Sequence, residues 1–171
     1  MLRRLALCLA LAAIAACAPR RAPRDASGRL DAAACRVARA SEVERLPATW
    51  APFRSEVRVC DLADGSGRVP LRVVTISAAD YYAKLPNGAT TVMLPKPILL
   101  DRAGNSVGNL PYAFPDDPPF SLSVTFGGWK GGWPERVDLF LSDPTVSGDH
   151  ALAPLIWDAA ARRYVKRPDN Q

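Results

Sequence analysis

Apolar and polar positions alternate most regularly between Phe120 and Ser142. Phe120, Leu122, Val124 and Phe126 alternate with Ser121, Ser123 and Thr125, while Val137, Leu139 and Leu141 alternate with Asp138, Phe140 and Ser142. A period of two belongs to a strand with one dry and one wet face. Bringing the dry faces together pairs Phe126 with Val137, Val124 with Leu139 and Leu122 with Leu141. That single register leaves Gly131 and Gly132 at the centre of a two-residue turn. Both central positions of such a turn need positive φ, which glycine adopts at little steric cost. The same register sends Trp129 to the outer face and Trp133 to the core side. A shared aromatic platform would need a bulge, and Gly127-Gly128 is where one would form.

Other runs follow the same logic. "SEVRVCDL" and "VPLRVVTIS" are rich in β-branched residues and flank Ala63 to Arg68, which predicts a hairpin with Val57, Val59, Leu71 and Val73 on its inner face. Ser77 with Asp80 resembles a capping box and predicts a short helix over "AADYYAKL", ended by Pro86-Asn87-Gly88. Pro95 and Pro97 make Val92 to Leu100 an expected edge strand. "DRAGN" offers a turn into "SVGNLPYAF", Pro115 to Pro119 reads as a rigid acidic loop, and "PLIWD" and "RRYVK" close the chain around Ala159 to Ala161. Alanines and mixed charges favour a helix over residues 32 to 46. Short strands punctuated by Gly, Pro and Asp at roughly ten-residue intervals predict a mainly β fold. The expected architecture is a small β-sandwich, immunoglobulin-like or transthyretin-like in outline, with one or two short helices.

The first residues, MLRRLALCLALAAIAAC, follow a different pattern. Arg3 and Arg4 precede an apolar stretch, Leu5 to Ile14, that is too short to span a bilayer comfortably, and small residues follow. This is the layout of a secretory signal peptide. Its end, Ile14-Ala15-Ala16-Cys17, resembles the lipobox of bacterial lipoproteins, in which a branched aliphatic and two small residues precede a cysteine. The resemblance covers the leader only. It implies cleavage by signal peptidase II before Cys17, a diacylglyceryl thioether on Cys17, and acylation of the new N-terminus. Because Ala18 rather than Asp follows Cys17, resemblance to lipoprotein sorting rules implies outer-membrane delivery, with the domain facing the periplasm.

Cysteine arithmetic agrees with this organisation. Of Cys8, Cys17, Cys35 and Cys60, the first falls in the leader and the second at the lipidation site, which leaves a pair for an oxidising compartment. A Cys35–Cys60 bridge closes about 25 residues and contributes ~3.5 kcal/mol on the chain-entropy model. The alternative is two separately buried thiols. The expected organisation is therefore a signal peptide (1–16), a lipidated N-terminus with a disordered leash (17–30), and one β-rich domain (31–171). Ala18 to Leu30 is rich in Pro, Ala and Arg without an apolar period, and its 13 residues reach at most ~45 Å. The remaining chain, about 140 residues, suits one domain with one core.

Net charge is +5, but residues 1 to 30 carry six basic side chains against one acid, so the rest of the chain is neutral. A nucleic-acid footprint needs basic residues clustered on the folded domain, and none is visible. The basic residues of the leash sit where they would keep a tether solvated or touch anionic head groups.

Catalytic motifs are also missing. The one histidine, His150, lies beside Asp149 in a loop-like stretch without a recognisable nucleophile. No His-Glu-x-x-His pair, Cys-x-x-Cys pair or phosphate loop is present. Asp116, Asp117, Glu135, Asp138 and Asp143 offer carboxylates for hydrolase chemistry in principle. The turns at Asp61 to Gly65 and Asp101 to Asn105 lack the alternating oxygen ligands of a calcium loop, and no cofactor is implied. Trp50, Trp157 and Tyr164 read as core fillers, whereas adjacent Tyr81 and Tyr82 cannot both be buried on one helix. The candidate ligand contacts are Trp129, Lys130 and Trp133. The functional expectation is a tethered, non-catalytic binding or assembly accessory with an envelope protein partner. A glycan- or peptide-binding module, with cell-wall glycan as the ligand, is the alternative, and a carboxylate-dependent hydrolase is the third reading.

Overall fold

Alternation of the kind seen in Phe120 to Phe126 requires a second apolar layer, and the chain supplies it with a second sheet. The computed structural model describes residues 28–86, 89, 92–117, 119–145 and 149–167; the leader, Cys17 and the leash as far as residue 27 lie outside them, as do Asn87 and Gly88. Among the described residues, a 3-10 helix (Ala32–Ala34) leads into β1 (Arg36–Val37), α1 (Ala40–Val43) and a second 3-10 helix (Ala48–Glu56). Then come β2 (Val57–Leu62), β3 (Leu71–Ile76), α2 (Ala78–Tyr82), β4 (Ile98–Asp101) and β5 (Ser106–Asn109). The remainder is all strand: β6 (Asp116–Asp117), β7 (Phe120–Lys130), β8 (Trp133–Ser142), β9 (Asp149–Asp158) and β10 (Arg163–Lys166).

The fold is mainly β, a small sandwich of two antiparallel sheets ordered β1-β2-β3-β4-β5 and β10-β9-β8-β7-β6. Strand order, which alternation cannot fix, follows chain order in both sheets, so each is a meander. One consequence is geometric. The β2–β3, β4–β5, β7–β8 and β9–β10 loops all fall at one end of the sandwich, and the β1–β2, β3–β4, β6–β7 and β8–β9 connections fall at the other.

Between the sheets, Leu62, Leu71, Val73 and Leu99 meet Val124, Phe126, Val137 and Leu139 in one buried cluster. The first sheet has a second core on its opposite face, where Val57, Val59, Val74 and Ile76 pack under Trp50 and Phe53. Val57 and Val59, expected beside Leu71 and Val73, therefore point the other way. The register pairs Val59 with Val74 and Leu62 with Leu71. A strand apolar on both faces gives alternation nothing to choose between.

Other differences from the sequence pattern have local causes. Residues 32–46 do not form one helix, because Cys35 bonds to Cys60 and Arg36 and Val37 pair with β2. The 3-10 turn at Ala32–Ala34 and α1 are what remains helical there. Val92 to Leu100 is not an edge strand: β4 begins after Pro97 and pairs with both β3 and β5. Asp116 and Asp117, expected in a loop, pair with Ser121 and Phe120 as β6. Leu30, counted with the leash, is 4% exposed in the core, and its N–H donates to the Val124 carbonyl at 2.8 Å. The short helix at 78–82 forms as expected, with the Ser77 hydroxyl accepting from the Asp80 N–H.

Candidate functional site

The β7–β8 hairpin keeps the predicted register, pairing Phe126 with Val137, Val124 with Leu139, Leu122 with Leu141 and Lys130 with Trp133. Gly131 and Gly132 occupy the turn with φ of 56° and 79°. The second glycine answers more than a backbone requirement. A Cβ there would lie 2.5 Å from Asp64 Oδ2 and 3.1 Å from Arg68 Nη2, whereas nothing lies within 4 Å of one on Gly131. The β2–β3 loop thus sits directly on the turn of the other sheet.

Asp64 organises that loop. It is 9% exposed, accepts from the Ser66 hydroxyl at 2.7 Å and the Ser66 N–H at 2.8 Å, and accepts from the Arg68 N–H and Nε at 3.0 Å. The Ser66 hydroxyl, with these backbone and guanidinium donors, outweighs burial and lowers the Asp64 carboxyl to about 2. It stays ionised and fully engaged.

Trp129 departs from its predicted outward position. No residue is inserted, but Gly128 has φ of 62°, and burial changes phase there: Phe126 is buried, Gly128 exposed and Trp129 half-buried. The indole packs against the inter-sheet core, and its Nε1 donates to the Phe126 carbonyl at 3.2 Å. On β8 the phase changes to match, with Pro134 and Val137 buried and Glu135 and Arg136 exposed. A left-handed Gly128 turns the Trp129 ring toward the core without the bulge considered at Gly127-Gly128.

Both tryptophans reach the core side without forming a shared platform. The Trp133 ring centroid is 4.7 Å from that of Trp157 and 6.2 Å from that of Tyr164. Burial pushes the Tyr164 phenol well above its ordinary range, and its hydroxyl donates to the Pro134 carbonyl. Trp129 instead faces a shallow recess lined with Asp64, Gly65, Ser66 and Arg68. Next to it, Trp133 lines a recess of about 370 Å³, and the two recesses share Asp64, Arg68 and Gly132. Lys130 lines neither; it is 81% exposed, with its ammonium 3.9 Å from Glu135.

What the sequence pattern missed is the company Trp133 keeps. Arg68, Arg102 and Arg162, from three different loops, line the same recess. Arg68 pairs with Asp64 at 3.0 Å, whereas Arg102 and Arg162 make no ion pair with a described residue. Arg162 holds a left-handed φ of 50°, a conformation that disfavours side chains beyond Gly and Asn. Asp101, also at the recess, is held by Asn105, whose N–H and Nδ2 donate at 2.8 and 2.9 Å. Trp133 Nε1 is the one buried side-chain polar atom among the described residues without a hydrogen-bond partner. An unpaired buried donor costs roughly 1–3 kcal/mol unless something reaches it. Free guanidinium groups around an indole suit an anionic or hydroxyl-rich ligand.

The remaining candidates lie elsewhere. His150 is exposed on β9 opposite Leu141. Asp138 is engaged by Arg136 at 2.7 Å, and Asp143 accepts from the Thr145 hydroxyl at 2.6 Å. Asp116 lies on β6 at the far side of the second sheet. No group of three or more potential metal ligands occurs among the described residues. Cys35 and Cys60 are joined in a disulfide, as the cysteine count suggested. No family model matches the chain, and neither curated proteins nor solved structures include one that is significantly similar to it.

Proposed function

We propose that this protein is a bacterial envelope lipoprotein, anchored in the outer membrane through Cys17, whose periplasmic domain acts as a non-catalytic binding or assembly accessory. The observation that carries this reading is the Cys35–Cys60 disulfide. It fits an oxidising compartment and leaves Cys17 as the unpaired cysteine of the processed chain, placed where the leader resembles a lipobox. The experiment is metabolic labelling with a tagged fatty acid, followed by the mass of the Cys17 peptide. The wild type is expected to carry label and fractionate with the outer membrane, and Cys17→Ser to lose both. An unlabelled wild-type chain with a free Cys17 would overturn the anchor.

A second reading, a glycan- or peptide-binding module, is favoured by the recess where Trp133, Arg102 and Arg162 meet. Acidic cell-wall glycans suit its guanidinium groups. An Arg102→Ala/Arg162→Ala variant should lose retention on an acidic glycan matrix by about tenfold while keeping its near-ultraviolet spectrum. Equal retention of variant and wild type would remove this reading.

A further inference from the structure

The cover over the outer face of the first sheet is incomplete. Between the α1 side and the β4–β5 turn runs a separate groove of about 380 Å³, on a different face from the arginine recess. Its floor is one row of cross-strand neighbours, with Val59 paired to Val74 and Val74 to Ile98. Leu46, Pro47 and Leu100 form its apolar sides. Val59, Val74 and Ile98 are almost fully buried, so the floor is dry core surface rather than a scattered set of exposed side chains.

Among the described residues, the charged groups at its mouth are matched with one exception. Arg36 donates to both Glu42 oxygens at 2.7 Å and to Asp61 at 2.8 Å, and Arg72 donates to Asp61 at 3.1 Å. This closed network of two cations and two anions fastens α1 to β1, β2 and β3, and so sets one wall. The Arg45 side chain, exposed and lining the groove, makes no ion pair with a described residue; its backbone N–H donates to the Glu42 carbonyl at 3.3 Å.

The geometry points to a single aliphatic chain ending in a carboxylate, a fatty acid, as the occupant of this groove, with its methylenes across Val59, Val74 and Ile98 and its head group on Arg45. Size supports one chain rather than two. Crossing β2 to β5 takes three interstrand spacings, about 14 Å, or roughly eleven carbon–carbon bonds in zigzag. At roughly 30 Å³ for a water-sized group, the groove's volume also comes to about a dozen such groups. Charge complementarity selects an anionic head, since among the described residues lining the groove the one uncompensated charge is the Arg45 guanidinium. This assignment is independent of the lipid anchor at Cys17 and of the arginine recess.

The test is calorimetric titration of dodecanoate, below its micelle concentration, into the full chain carrying Cys17→Ser, which removes the site of any acyl chain of its own. One saturable site is expected. Decanoate should bind about fifteenfold more weakly for the two methylenes lost. Arg45→Gln should weaken dodecanoate about five- to tenfold and leave dodecanol unchanged. Leu100→Trp, or Leu46→Trp if the first does not fold, should abolish binding by filling the groove from a half-buried side. Non-saturable uptake, or full binding by a folded groove-filled variant, would overturn the proposal. Equal loss of dodecanoate and dodecanol on Arg45→Gln would overturn the role given to Arg45.

Discussion

The two sheets have the same number of strands and the same meander order, yet one is buried on both faces and the other on one. The outer face of the first sheet lies under Trp50, Phe53 and Leu94. The outer face of the second carries Ser121, Ser123, Thr125, Asp138 and the 42% exposed Phe140. The difference comes from where the chain spends its length. In the first sheet, the β1–β2 and β3–β4 connections are long enough to fold back over their own strands. In the second, the strands themselves are long and the connections short. A strand with two dry faces is buried almost throughout, as in β3, and one with a wet face alternates, as in β7.

The largest expected effect separates the two outer faces. Trp50 is 3% exposed, and Trp50→Ala should cost ~3–5 kcal/mol in urea unfolding. Phe140→Ala removes an aromatic ring of comparable kind and should stay within about 0.5 kcal/mol. Similar costs for both would mean that the cover over the first sheet is energetically idle, and the comparison would fail.

Next in size is the covalent tie at the start of that cover. Replacing Cys35 and Cys60 together by Ala should lower stability by ~2–4 kcal/mol, close to the loss on reduction. Cys60 lies in the inter-sheet core and Cys35 packs against it, so the loss should fall on the whole domain. Reduction without a shift in the urea midpoint would show that the unfolded chain, not the native one, already holds these residues together.

How much of this was legible follows the same division. The β7–β8 register could be derived because one dry face and a Gly-Gly turn gave a single solution. The β2–β3 faces could not, because Val57, Val59, Val73 and Val74 are all buried and an eight-residue loop (63–70) leaves register free. The aromatic half of the recess was visible as Trp133, but its arginines were not. Arg68, Arg102 and Arg162 are far apart in sequence and share only a position at a hairpin loop. The available signal was that position: once both sheets are known to be meanders, alternate loops must gather at one end. Trp129 was misplaced because alternation assumes extended backbone, and Gly128 is left-handed.

Acid should sharpen the contrast by acting on one sheet's cover before the other. Lys84 and Ser55 hold the buried Glu56 carboxyl below its usual range despite the opposing effect of burial, and the Arg36 hydrogen bonds lower Glu42 to about 2. Depressed carboxyls stabilise the fold above their unfolded values and lose that contribution as pH falls through the folded ones. Between about pH 4.5 and pH 2, stability should therefore drop, with Glu42 contributing on the order of 1–2 kcal/mol after allowance for its partial exposure. In Glu42→Gln that share of the pH dependence should vanish. The second sheet's pairs, Lys130–Glu135 and Arg136–Asp138, are partly to largely exposed, a setting in which an ion pair is worth little to stability. An unchanged acid profile in Glu42→Gln would place the sensitivity elsewhere.

The smallest effect concerns how the second sheet guards its edge. β7 has no full-length partner on its outer side; β6 covers Phe120 and Ser121, and residues 28–30 cover Val124 to Phe126 through the Leu30 N–H on Val124 and the Phe126 N–H on Gly28. That cover depends on Gly28, whose φ is 86° and whose Cβ, if present, would lie 2.4 Å from the Phe126 carbonyl oxygen. Gly28→Ala cannot keep this approach, so residues 28–30 should lift while the sandwich stays folded. Hydrogen exchange at the Phe126 amide should speed up about five- to tenfold, the equivalent of ~1 kcal/mol of local opening, with an unchanged global midpoint. A global loss of stability instead would mean that Leu30 is an indispensable part of the core rather than a removable edge strap. The edge left open would be a pairing surface for another strand, so the same variant should associate more readily at high concentration.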